Sequence, residues 1–136
     1  MKIVALICRI LLGLLFVVFG LNGLHSFLHM PSPNLDSTHA ALAGQYFGAV
    51  GASGWMSFVY ICQIVGGLLV LLGRTAPAGL CILAPVLVNI LCFHIFIMGG
   101  TGASTGVVAL VLWLIVFYSY RAHFAGIVST SAAPAA

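Results

Sequence analysis

Four long apolar segments, separated by short polar or glycine- and proline-rich stretches, dominate the pattern of hydrophobic and polar positions along the chain. They run over about residues 3–29, 55–72, 75–98 and 104–120. An α-helix needs about 20 apolar residues to cross the hydrocarbon core of a bilayer. The pattern therefore predicts an all-α fold, an integral membrane bundle of four helices.

Proline and glycine residues mark the ends of these segments. The first stops at PSP, 31–33, because paired prolines end a helix. The third carries Pro77 in its first turn, where proline is favoured, and ends at GGTG, 99–102. Pro85 deprives the carbonyl of Cys81 of its usual donor, so we expect it to bend the third helix.

The stretch between the first two segments, 30–54, is too weakly apolar to span a membrane. It offers Asp36 or Ser37 as a helix N-cap, followed by a run of small and aromatic residues. This pattern predicts a short helix on the membrane surface, with Tyr46 and Phe47 at headgroup depth. We interpret residues 1–125 as one domain and 126–136 as a C-terminal tail.

Composition supports a membrane location. Of the 136 residues, 63% are hydrophobic and 4% are charged, whereas a soluble domain carries about 25% charged residues. Four basic residues are too few for a nucleic-acid interface. The four cysteines lie inside apolar runs, where free cysteine packs as a small hydrophobe.

The basic residues predict the orientation of the bundle. Lys2 and Arg9 begin the first segment, Arg74 joins the second to the third, and Arg121 follows the fourth. Four crossings place all of them on one side, which the positive-inside rule assigns to the cytoplasm. Both termini are then cytoplasmic, and the absence of a small-residue cleavage site favours a retained first helix over a signal peptide.

Uncharged polar residues gather in the predicted outer half of the membrane. Asn89 and His94 lie in the third segment and Gln63 lies at a similar depth in the second. In the first segment, a stripe at i, i+3, i+4 and i+7 is formed by Asn22, His25, Ser26 and His29. Asn89 and His94 differ by roughly 140° around a helix. We therefore expect Asn89 to face Gln63, and His94 to face the first helix or the lipid-side edge.

Each of these residues has a purely structural interpretation. Asn89 and Gln63 would hydrogen-bond one helix to another, and the stripe would be a helix end emerging into headgroups. His94 would be a neutral imidazole bonded to a neighbouring carbonyl or hydroxyl group.

The functional interpretations are three, and the residues leave them open. A quinone pocket would be lined by the aromatic side chains of Phe93, Phe96 and Tyr60. The polar side chains that would bind the quinone headgroup are His94, His25, Asn22, Gln63 and Asn89. A haem b, or a chlorophyll-type pigment, would use His94 with His25 or His29 as axial ligands. A metal site would use ligands from the outer loop and the first helix end, namely His25, His29, His39 and Asp36.

Two further patterns limit what the chain does alone. Asp36 is the single acidic residue, so no carboxylate pair is available and we predict no catalytic side chains. Gly13 and Gly20 in the first segment, with Gly66 and Gly67 in the second, allow close helix approach. A compact bundle would favour a ligand site at the rim or at an interface with another subunit.

Three stretches resemble the DoxX-like family of small four-helix bacterial membrane proteins. They are RILLGLLFVVFGLNGL, 9–24, QIVGGLLVLLGR, 63–74, and NILCFHIFI, 89–97. The resemblance implies a multi-pass protein of the bacterial inner membrane, of a kind that assembles with redox partners. The family takes its name from a subunit of a thiosulfate-to-quinone oxidoreductase system. Gln63 stands where related sequences commonly have an acid, and an amide cannot relay a proton.

The leading hypothesis is a small accessory subunit of a membrane redox assembly, quinone-linked and docked to a larger complex. One alternative is a self-contained electron-transfer protein that binds haem or quinone. The other is a structural membrane protein without a cofactor. Membrane lipids are expected partners of the chain.

Overall fold

The computed structural model describes residues 2–29 and 33–126. These residues form helices and connecting turns, without a strand. The helices are α1, Lys2–His25, α2, Ser37–Ala52, α3, Trp55–Leu72, α4, Ala76–Cys92, and α5, Ala103–Tyr120. A π-helical turn, Phe93–Ile97, extends α4, and a 3₁₀ turn, Arg121–Phe124, follows α5.

The four predicted spans are present. In the described residues, four helical segments are long and apolar enough to cross a membrane: Ile3–His25, Trp55–Leu72, Ala76–Ile97 and Ala103–Phe124. Large apolar side chains remain exposed along them, as at Ile3, Leu72 and Phe96. A helix surface of this kind is suited to lipid contact, and the chain is a multi-pass membrane protein.

The first helix ends four residues earlier than predicted, at His25. Ser26 adopts a left-handed conformation with φ of 49°, and its N–H still donates to the carbonyl of Asn22. The Asn22 side chain accepts from the N–H of Leu28 at 2.6 Å and so holds the departing chain. Ser26 and His29 therefore do not continue the predicted helical stripe, which was wrong beyond His25.

Four helices close into a ring in which α1 packs on α3, α3 on α4, α4 on α5 and α5 on α1. Glycines set the closest approaches. A Cβ at Gly67 would lie 2.8 Å from the carbonyl oxygen of Gly13, and one at Gly79 would lie 2.6 Å from that of Gly66. The predicted close packing is confirmed there. Among the described residues, the largest fully buried side chains are Leu12, Phe16, Val70, Leu80, Leu83, Leu87 and Val116.

The short helix predicted between the first two spans is α2. Asp36 is its N-cap, as predicted, and its carboxylate accepts from the backbone N–H groups of Thr38 and His39. The helix packs on α3 and on the π-helical turn. We call this the α2 end of the bundle.

The opposite end is the arginine end, where Arg9, Arg74 and Arg121 lie. The guanidinium of Arg9 contacts Gly73, at the turn between α3 and α4. Its Nη1 also donates to the hydroxyl of Tyr120, the last residue of α5. The clustering of these cations at one end is what the predicted orientation requires.

Candidate functional site

A cleft of about 590 Å³ opens within the ring of helices at the α2 end. Each of the four spans contributes to its wall, and Tyr46 and Phe47 of α2 cover it. Most of its lining is apolar or aromatic, including Phe16, Phe19 and Tyr60. The bundle is thus tightly packed at its glycines and hollow at the α2 end. We expected a ligand site at the rim or at an interface with another subunit; the cleft opens at one end of the bundle and extends between the four spans.

Four of the polar side chains that the sequence predicted for this half of the bundle line the cleft, from three different spans. Asn22 comes from α1, Gln63 from α3, and Asn89 and His94 from α4 and its π-helical turn. We expected Asn89 and His94 to face different neighbours. Both reach the cleft because it lies among all four helices and is therefore accessible from two faces of α4.

The two amides are not bonded to each other. Gln63 is buried, with 6% of its surface exposed, and Asn89 is exposed at the cleft. Within residues 2–29 and 33–126, neither side chain forms a hydrogen bond, so the predicted Asn89–Gln63 bond is absent there. Buried polar groups normally have hydrogen-bond partners. Because the amide of Gln63 has none among the described residues, it is free to bind a molecule in the cleft.

His94 is fixed at one ring nitrogen, and its other ring nitrogen has no hydrogen-bond partner among the residues that the structure describes. Its Nδ1 lies 2.8 Å from the carbonyl oxygen of Ile90, four residues earlier. A carbonyl only accepts, so Nδ1 carries the hydrogen and Nε2 of the neutral ring is an acceptor. The ring lies against Gly102, where an added Cβ would come to 2.9 Å from Cδ2.

Aromatic side chains from α2 join the π-helical turn. The ring centroid of Phe93 lies 5.0 Å from that of Tyr46 and 5.2 Å from that of Phe47. These contacts hold α2 across the mouth of the cleft. Of the predicted wall residues, Phe93 and Tyr60 line the cleft. Phe96 does not, because it points away from the bundle and is 73% exposed.

The structure does not bring the predicted histidine pairs together. His25, the last residue of α1, and His29, beyond the helix, are both exposed, and neither lines the cleft. His94 is the one histidine among the described residues that does so. Of the two axial imidazoles that a haem b would need, the cleft thus has one, that of His94, among the described residues.

Two of the four predicted metal ligands meet. The ring of His39 donates to the carboxylate of Asp36. This hydrogen bond, with that from the backbone N–H of His39, lowers the pKa of Asp36 below its ordinary value of 3.8. In residues 2–29 and 33–126, no group of three or more His, Cys, Asp or Glu side chains is close enough to hold a metal ion. His25 and His29 do not join the pair.

Sequence reasoning missed several residues of the cleft. Thr101, in the turn before α5, and Thr105, in the first turn of α5, bring hydroxyl groups, and Tyr46 brings a phenol from α2. Depth along the helix was a usable signal for the two threonines, since they lie at the same end as His94. The packing of α2 over the cleft had no comparable signal in the sequence.

Comparison with known proteins gives one match. The family model described as DoxX matches residues 4–100, more than two thirds of the 136 residues. No curated protein and no solved structure matches the chain.

Proposed function

Because this chain belongs to the DoxX family, we propose that it is a small accessory subunit of a membrane redox assembly and holds a quinone headgroup in the cleft. The observation that carries the proposal is the pair of unbonded amides, Gln63 and Asn89, inside a largely aromatic and aliphatic lining. Ligand pockets typically have this composition, with volumes of about 300–1,000 Å³.

A quinone headgroup suits these groups chemically. It is a flat ring whose two carbonyl oxygens accept hydrogen bonds, and the amide N–H groups of Gln63 and Asn89 are donors. The aromatic rings of Phe93 and Tyr46 offer faces and edges on which such a ring can stack. A quinol form would instead donate, and Nε2 of His94 is placed as an acceptor for it.

The accessory role is argued from the needs of the reaction. Reduction of a quinone to a quinol takes up two electrons and two protons. The amides can bind but cannot relay protons. The single acidic residue of the chain, Asp36, is the N-cap of α2, is bonded to His39 and does not line the cleft. We therefore assign electron and proton delivery to a larger redox partner, and binding of the headgroup to this chain.

The direct test measures binding of a short-chain benzoquinone to the purified full-length chain by equilibrium dialysis in mild detergent. We expect Gln63→Leu and Asn89→Leu each to weaken binding by about fivefold, because each removes one hydrogen bond worth about 1 kcal/mol. The matched controls are Gln45→Leu, on the exposed face of α2, and Asn34→Leu, in the loop before it. Both should bind as the unaltered chain does.

Thermal stability decides between this proposal and the structural interpretation. Gln63→Leu replaces an amide that has no hydrogen-bond partner among the described residues with an apolar side chain in a largely buried position, so it raises stability if the amide serves no ligand. A Gln63→Leu variant that is more stable and binds quinone unchanged would refute the cleft assignment.

The partner is tested separately, by migration on a native gel after mild extraction of the membrane. We expect the chain to run with a larger complex that carries a redox group. A chain that runs alone yet retains quinone would favour the self-contained alternative. A chain that runs alone and retains no quinone would favour the alternative of a structural membrane protein without a cofactor.

A further inference from the structure

A second cavity, of about 420 Å³, lies at the arginine end between α1 and α5. Its lining includes the guanidinium-bearing side chains of Arg9 and Arg121, together with Tyr118 and Leu6. It is at the opposite end of the bundle from the cleft and shares no lining residue with it. A ligand in this cavity is therefore independent of the function proposed for the cleft.

Arg9 lies inside an apolar span. The candidate span begins at Ile3, and Arg9 stands six residues further on, which is about 9 Å along the helix. Most side chains between the start of the span and Arg9 are apolar and exposed, with Ile3 at 73%, Val4 at 56% and Ile7 at 51%. A cation at such a depth is costly unless another group neutralises it.

The guanidinium of Arg9 is held in place by its neighbours. Nη1 donates to the hydroxyl of Tyr120 at 3.2 Å. On another side it rests against Gly73, where any side chain would overlap it and where φ is 77°. Its Nε is buried and has no hydrogen-bond partner among the described residues.

The chain's side chains do not supply a counter-charge for Arg9. The single acidic residue, Asp36, is at the α2 end and is bonded to His39. The C-termini of α3 and α5 lie beside Arg9, and each helix terminus carries about half a negative charge. That partial charge favours a cation but leaves the Nε–H without an acceptor.

We propose that this pocket binds the phosphate group of an anionic phospholipid from the leaflet at the arginine end. Arg9 and Arg121 are its two cationic ligands, since a guanidinium offers paired N–H donors that match phosphate oxygens. Arg121 is already positioned, with its Cζ 4.2 Å from the ring centroid of Tyr118 and its Nη1 donating to the Tyr118 carbonyl at 2.9 Å. The exposed side chain of Leu6 gives an acyl chain an apolar contact beside them.

Native mass spectrometry of the delipidated full-length chain tests this proposal. Phosphatidylglycerol, phosphatidylcholine and inorganic phosphate are added in turn at equal concentration. We expect a single phosphatidylglycerol adduct in excess over phosphatidylcholine. Arg9→Gln and Arg121→Gln should each weaken that adduct by about fivefold, the effect of one basic residue near an anionic lipid surface.

Arg74→Gln is the matched control, because Arg74 is exposed at the same end and does not line the pocket. Circular dichroism checks that Arg9→Gln folds, and Arg121→Gln changes only an exposed side chain. Equal losses in Arg121→Gln and Arg74→Gln would overturn the site, since charge alone would then explain binding. Displacement of the lipid by equimolar phosphate would assign the pocket to a free anion and overturn the lipid occupant.

Discussion

At the scale of single residues, two imidazoles hold the turn that joins the π-helical turn to α5. The ring of His39 lies against Gly99, where an added Cβ would be 3.0 Å from it, and the ring of His94 lies against Gly102. Both glycines have positive φ, 59° and 77°. A bare Cα is required at each position by backbone conformation and by contact together.

Gly102→Ala tests the contact with His94. The change imposes a left-handed alanine, which costs about 1–2 kcal/mol, and its methyl group also displaces the ring. Gly100→Ala is the control, because φ there is 87° and nothing lies within 4 Å of the added Cβ. We expect both variants to lose thermal stability in detergent but only Gly102→Ala to weaken binding of a short-chain benzoquinol, the form whose hydroxyl group can donate to Nε2 of His94. Equal binding by the two variants would contradict the role given to His94.

Asp36 makes the start of α2 sensitive to acid. The hydrogen bond from the His39 ring lowers the pKa of Asp36 below 3.8. The carboxylate therefore stabilises the fold above its unfolded-state pKa, and this contribution is lost as the pH falls through the lower folded value. Asn also caps helices but does not titrate.

The measurement is hydrogen exchange of the Thr38 and His39 amides in the unaltered chain and in Asp36→Asn, compared at each pH. We expect the protection of these amides in the unaltered chain, divided by their protection in Asp36→Asn, to fall as the pH decreases from about 5 to about 3. A constant ratio over that range would show that the carboxylate charge does not stabilise the cap.

At the scale of elements, the contact of α1 with α3 depends on glycine. A Cβ at Gly67 would lie 2.8 Å from the Gly13 carbonyl oxygen and 3.1 Å from the backbone nitrogen of Val17. Both are main-chain atoms, so no side-chain rotation can make room. The two helices must move apart to accept any larger residue.

We expect Gly67→Ala to destabilise the bundle by about 1–3 kcal/mol, the usual cost of overpacking. Gly48→Ala is the comparison, because Gly48 lies within α2 with nothing within 4 Å. It should gain about 0.5–1 kcal/mol, since alanine favours a helix over glycine. Unfolding in a series of detergent mixtures measures both. A Gly67→Ala variant as stable as the unaltered chain would mean that the helices are not in contact there.

At the scale of the whole molecule, the ring of helices has two chemically different ends. Arginines cluster at one end, whereas amides, hydroxyls and an imidazole gather at the other. Positively charged loops are retained in the cytoplasm. The arginine end is therefore predicted to face the cytoplasm and α2 the opposite side.

Cysteine labelling tests this orientation. In a chain whose four native cysteines are replaced, Ser53→Cys and Arg74→Cys place one thiol at each end, both at exposed positions. An impermeant maleimide applied to intact spheroplasts should label position 53 and reach position 74 only after permeabilisation. Labelling of both from the same side would be incompatible with four crossings.

Much of this architecture could be predicted because it depends on local chemistry. The four spans follow from uninterrupted apolar runs, and the Asp36 cap follows from a residue type that bonds its own next turn. The end of α1 could not be placed, because Phe27 and Leu28 continue the apolar pattern after the helix has stopped. There the side chain of Asn22 decides the boundary.

The candidate site was predictable in depth but not in shape. Counting residues places Asn22, Gln63, Asn89 and His94 in the same half of the bundle, and all four line the cleft. The volume of the cleft depends on where neighbouring helices diverge and on how α2 packs. Neither is encoded in the periodicity of one segment. Depth along the helix also predicted His25 and Phe96 at the site, but both side chains are exposed outside the cleft.

The glycine-packed middle of the bundle has an energetic consequence. Asn22 and Arg9 are thirteen residues apart on α1, about 20 Å along the axis. Perturbations separated by more than about 10 Å and sharing no neighbour usually combine additively. The changes in unfolding free energy of Asn89→Leu and Arg121→Gln should thus add in the double variant, with a coupling free energy near zero. Natural variation can then alter the proposed quinone site independently of the proposed lipid site.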